Sequence, residues 1–179
     1  MNNPIMKNEP NKLIVIFGMI SPFIGIFAAI YGIDRIENYN HPYLFSLICG
    51  TIGFGFGWLF SIRIKPYTRF NDKQLKEYSK AILFFSSGFV GLMIAIGSHV
   101  NSGLSTEVAN DYYVVTNKTY KEYRFASPSA NWLHLTINGK TERLRCKSDY
   151  WNKIRHGQSI NISTYKSKIG FDYYILTNE

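Results

Sequence analysis

Three charge-free windows, followed by a stretch of alternating polarity, predict a two-part fold. The first part is membrane α-helical, with three transmembrane helices. The second is a small all-β domain, an OB-like five-stranded barrel with one short helix. The whole-chain averages hide this division: 46% apolar, 18% charged and a formal net charge of +8 over 179 residues describe an ordinary soluble protein. An aromatic share of 16% excludes a disordered chain, and two cysteines exclude a disulfide scaffold.

The first window runs Leu13 to Ile33, the second Pro42 to Ile62 and the third Ala81 to Val100, where His99 is the only titratable group. A helix rises about 1.5 Å per residue, so roughly 20 residues cross the hydrocarbon core, and each window has that length. The first window is longer than the apolar region of a signal peptide, and no small-x-small cleavage site follows it, so we expect it to be retained. Asn71 and Gln74 form a capping-box pattern that starts the third helix before the membrane. The expected membrane domain is therefore residues 1–100, with helices near 13–33, 42–62 and 72–100, of which 81–100 is the membrane part.

Orientation follows from basic residues near the span ends. Arg63, Lys65, Arg69, Lys73, Lys76 and Lys80 crowd the second loop, whereas the first loop, Asp34 to His41, holds only Arg35 beside Asp34 and Glu37. The second loop and the amino terminus are expected in the cytoplasm and the carboxy-terminal domain outside. No Asp, Glu, Lys or Arg lies at membrane depth, which argues against a proton or ion pathway.

Small residues recur at four-residue spacing in the pairs Ser21/Gly25, Gly25/Ala29, Ser46/Gly50, Gly53/Gly57 and Ser87/Gly91. Such spacing lets helix backbones approach closely where lipid supplies no hydrophobic drive. Gly25, Gly50, Gly53, Gly57 and Gly91 are the expected packing positions, and the glycine-rich second span the expected centre of the bundle. One such face also suits a helix of a partner membrane protein or of a second copy.

Residues 101–110 read as a tether and 111–179 as the β-domain. Alternation predicts strands near Tyr112–Asn117, Asn131–Ile137, Thr141–Lys147, Ser159–Tyr165 and Phe171–Thr177. Asn138-Gly139 suits a two-residue type I′ turn, and Ser148 reads as the cap of a helix over Ser148–Arg155. The turn sets Leu133 opposite Leu144 and His134 opposite Arg143. Leu133, Leu135, Ile137, Leu144 and Cys146 then share the core face. The other face carries Trp132, His134, Arg143, Arg145 and Lys147, pointing to solvent and able to meet an anionic lipid or glycan. Outside the membrane, nucleic acid is not an expected partner.

The segment Tyr150 to Tyr174, with Tyr150, Ile154, Gly157-Gln158, alternating Ile160 and Ile162, and Gly170 before a closing strand, resembles uncharacterised bacterial multi-span membrane proteins with a small β-rich extracytoplasmic domain. The resemblance implies that architecture and carries no activity with it.

Catalysis and metal binding need clustered ligands. His41 and His99 fall at the expected outer boundary, but no HxxxH or CxxC spacing supports a metal, and no phosphate-loop, Rossmann or GxSxG pattern occurs. Cys49 and Cys146 read as packing residues. No cofactor and no enzyme activity are expected. The expectation is a non-catalytic multi-pass protein of the bacterial inner membrane, an accessory or scaffold subunit of a membrane complex with an extracytoplasmic interaction module. One alternative is an immunity protein against a secreted toxin. The other, an enzyme of envelope lipid or glycan, lacks the acid–base pair it would need.

Overall fold

The computed structural model describes residues 12–64, 75–122 and 129–177. Three helices come first: α1 (Lys12–Ile36), α2 (Pro42–Ile64) and α3 (Leu75–Gly103). Among the described residues, two stretches, Pro42–Arg63 and Leu83–Gly103, are long and apolar enough to cross a membrane. The expected cap at Asn71 and Gln74 lies outside the described residues. By their contacts, the described residues fall into two compact units. The helical unit holds those up to Ile33 and from Ser46 to Gly97; the sheet unit holds Asp34–Phe45 and those from Ser98 onward.

Among the described residues of the helical unit, the tight approaches all involve α3. A Cβ added to Gly25 would strike the backbone of Gly88, and one on Gly91 the carbonyl of Gly25. Towards α2, a Cβ on Gly53 would stand 2.6 Å from the Phe89 carbonyl oxygen, and one on Gly57 would strike Ser86 Cα. The expectation that α2 is central is therefore corrected: α3 lies against both other helices. It can do so because it carries small residues on two sides, Gly88 and Gly91 towards α1 and Ser86 towards α2. Ser86 is buried and Ser87 exposed, the reverse of what the Ser87/Gly91 pairing implies. Gly50 is not a close approach, since an added Cβ there would meet only Val90 Cγ1, at 3.8 Å. Two hydroxyls of α2 are satisfied within the helix: Ser61 donates to the Gly57 carbonyl at 2.7 Å and Thr51 to Leu47 at 2.8 Å.

The sheet unit contains β1 (Ser105–Lys121), β2 (Ala130–Ile137), β3 (Lys140–Cys146), α4 (Ser148–Lys153), β4 (Ser159–Ser167) and β5 (Tyr173–Leu176). These strands form one antiparallel curled sheet, a half-barrel, in the order β3-β2-β1-β4-β5. β1 is shared: residues up to Val114 pair with β4, and those from Val115 pair with β2. At the switch, Val115 donates to the Gln158 carbonyl at 3.0 Å and accepts from Gly157 N–H at 2.9 Å, so the bend leaves no ladder group unpaired there.

The β2–β3 hairpin has the expected register, with Leu133 opposite Leu144, His134 opposite Arg143 and Ile137 opposite Lys140. Asn138 and Gly139 take positive φ, 50° and 76°, as a type I′ turn requires. Alternation then buries Leu133, Leu135, Ile137, Leu144 and Cys146 in one core with Val115, Ile154, Ile160, Ile162 and Leu176.

Two expectations fail here. Residues 101–110 are not a tether: α3 continues to Gly103 and β1 begins at Ser105. Their polar residues look like a linker but are structural. Asn101 is fully buried, donates to the Phe171 carbonyl at 2.9 Å and accepts from the Ser167 hydroxyl at 2.6 Å. Ser148 does not cap α4; Lys147 holds the cap position, and the Ser148 hydroxyl accepts from Asn131 Nδ2 at 2.8 Å. The short helix ends at Lys153, where Lys118 Nζ on β1 donates to the carbonyls of Trp151 and Ile154 at 2.5 and 2.6 Å. A cation on the last carbonyls of a helix suits its negative end.

Candidate functional site

The two edges of the half-barrel, β3 and β5, do not pair with each other among the described residues. The α1–α2 loop stands between them. Asn38 uses its side-chain amide as a peptide group would be used, accepting from Arg145 N–H at 2.7 Å and donating to Arg145 C=O at 3.1 Å. Its own carbonyl accepts from Tyr174 N–H at 3.1 Å, and Asn40 N–H donates to the Asp172 carbonyl at 2.9 Å. The loop thus makes strand-type hydrogen bonds to both edges. Tyr39 anchors it, its ring stacked on Tyr173 at 5.4 Å and edge-on to Phe45 at 5.1 Å. Burial pushes the Tyr39 phenol above its ordinary pKa.

The candidate face lies on β2 and β3, where side chains opposite the core alternate outward. Arg143 places its guanidinium over the Trp132 ring, 4.1 Å from the centroid. His134 Nε2 lies 2.9 Å from the Thr119 hydroxyl on β1. Lys147 and Arg143 are exposed. Arg145 departs from the expected solvated side chain. Its Nη1 donates to Asp34 Oδ1 at 2.8 Å and Glu37 Oε2 at 2.5 Å, and only 21% of the side chain is exposed. The structure therefore brings Trp132 and Arg143 together, ties His134 to β1, and ties Arg145 to the loop.

A cavity of about 460 Å³ opens beside this junction, lined by Asp34, Asn38, Asn131, Arg145, Lys147 and Ser148 among others. Its wall carries guanidinium, ammonium, carboxylate, amide and hydroxyl groups, so it can offer donors and acceptors to a polar ligand. A second cavity, of about 430 Å³, lies between α4 and β4, with Lys147, Lys153, Tyr112 and Tyr150 on its wall.

Sequence reasoning missed Asp34, Glu37 and Asn38 as parts of this site. One signal was present. Asp34 sits in the last turn of α1, where the helix dipole disfavours an acid, so a cation from elsewhere was to be sought. Among the described residues no three His, Cys, Asp or Glu side chains group as metal ligands, and His41 and His99 are both exposed. Cys49 and Cys146 are buried free thiols.

Fold and site together define a chain with apolar helices of membrane-crossing length and a half-barrel strapped by a helix–helix loop, with an aromatic and basic outer face. Compared with protein-family models, with curated proteins and with solved structures, it matches none.

Proposed function

We propose that the protein is a non-catalytic, multi-pass protein of the bacterial inner membrane. In this reading α1 is a third span, the amino terminus is cytoplasmic, and the half-barrel is an OB-type module outside the membrane. The module serves as the interaction part of an accessory or scaffold subunit, and its β2–β3 face meets an anionic group, in a lipid headgroup or an envelope glycan. The observation that carries the reading is the pairing of exposed Arg143 and Lys147 with the Trp132 ring on one strand face, attached to helices whose large apolar side chains stay exposed, such as Phe27, Leu47 and Leu59. Exposed apolar surface of that extent needs lipid or a partner to cover it.

Two experiments test it. Reporter fusions after Lys73 are expected to signal cytoplasm and those after Gly103 the outside; a cytoplasmic signal from both overturns the topology. Native mass measurement after detergent extraction is expected to show a second copy or a co-purifying membrane protein. A bare monomer overturns the scaffold reading.

A further inference from the structure

Arg145 belongs to two structures at once. It lies on the outward β2–β3 face with Arg143 and Lys147, and it is also where the α1–α2 loop meets β3. Its main chain brackets the Asn38 amide and its guanidinium holds Asp34 and Glu37. The two carboxylates differ: the Asp34 side chain is 61% exposed and that of Glu37 is 24% exposed. A solvent-exposed pair contributes little, so Asp34 is the contact that a competitor displaces first.

We propose that Asp34, backed by Glu37, is an internal competitor for the anionic ligand of this face, so that ligand binding and the Asp34 contact with β3 oppose each other through Arg145. This rests on the anionic-partner reading above and adds its regulation. A phosphate, sulfate or carboxylate group approaching Arg143 and Lys147 meets an Arg145 whose charge the two loop carboxylates already balance. To use that guanidinium, the ligand takes the place of Asp34. Asp34 then loses its tie to the sheet, while Glu37, Asn38 and Tyr39 keep the loop seated. Linkage makes the effect reciprocal: whatever loosens Asp34 strengthens anion binding by the same factor.

The test uses the full chain in nanodiscs of neutral phosphatidylcholine. Dextran sulfate is the soluble probe, unsulfated dextran its control, and phosphatidylglycerol vesicles the lipid arm; whichever anionic probe binds identifies the source of the anion. Asp34→Asn is expected to tighten binding by up to about five-fold, the most that an exposed ion pair represents. Asp111→Asn on β1 changes net charge equally without touching Arg145 and is expected to give a smaller gain. Hydrogen exchange at residues 34–37 is expected to quicken when dextran sulfate or the vesicles bind. If wild type binds but Asp34→Asn gains no more than Asp111→Asn, or exchange stays unchanged, the competition is overturned. If neither anionic probe binds any form, the anionic-partner reading fails and the competition with it.

Discussion

The two units are held together in opposite ways. The helical unit is built on absent side chains: its tight contacts bring backbone to backbone at Gly25, Gly88 and Gly91, and at Gly53 and Gly57. The sheet unit is built on large ones, with Leu133, Leu135, Leu144 and Ile162 almost wholly buried. On the membrane reading proposed above, the difference follows from solvent. Apolar burial drives association in water, whereas helices surrounded by hydrocarbon gain from close approach and dispersion. One unit is injured by adding a methyl group and the other by removing one.

Substitutions can break this contrast. The largest effect is expected for Leu144→Ala, which leaves a cavity in the half-barrel and should cost about 2–5 kcal/mol in chemical denaturation of the detergent-solubilised chain. Gly91→Val comes next. Its side chain has no room against the Gly25 carbonyl, and overpacking should cost about 1–3 kcal/mol, read as easier unfolding of the helices in denaturing detergent. Asn38→Ala removes the amide that serves Arg145 and leaves that N–H and C=O short of partners, for a loss of about 1–3 kcal/mol and faster hydrogen exchange at Arg145 and Tyr174. The smallest effect belongs to Gly50→Ala, whose methyl meets only ordinary contact with Val90; helix stability should change by less than about 0.5 kcal/mol or rise. If Gly50→Ala matched Gly91→Val, close approach would not be what holds the helices.

How far each unit was legible follows the same division. The hairpin register could be read from residues 131–146 alone, because Asn138-Gly139 fixes the turn and alternation fixes the faces. The helix lengths were legible from absent charge. Which glycine faced which helix was not, since spacing within one helix does not name the neighbour. α2 crowds its glycines between Gly50 and Gly57, yet a Cβ on Gly55 would meet nothing within 4 Å, and α3 holds the centre. Residues 101–110 read as a tether because nothing local shows that Asn101 is buried against the β4–β5 turn. The placement of Arg145 was half legible: its outward face followed from register, but its partners came from a loop 111 and 108 positions earlier in the chain.

That separation bears on the order of assembly during synthesis. The α1–α2 loop, which stands between the two sheet edges, is made before any strand of the sheet, and the contacts of Asn38 with Arg145 span 107 residues. Contacts so distant in sequence are slow to form, because a long loop must close before they return any energy. A nascent chain avoids part of that delay if the α1–α2 turn is already fixed by its two helices when β3 emerges. Asn38 then acts as a waiting template: β3 registers on it through one amide, and β5, the last strand made, finds the Asn38 carbonyl in place for Tyr174. Under that condition the half-barrel would have its seam in place before its strands.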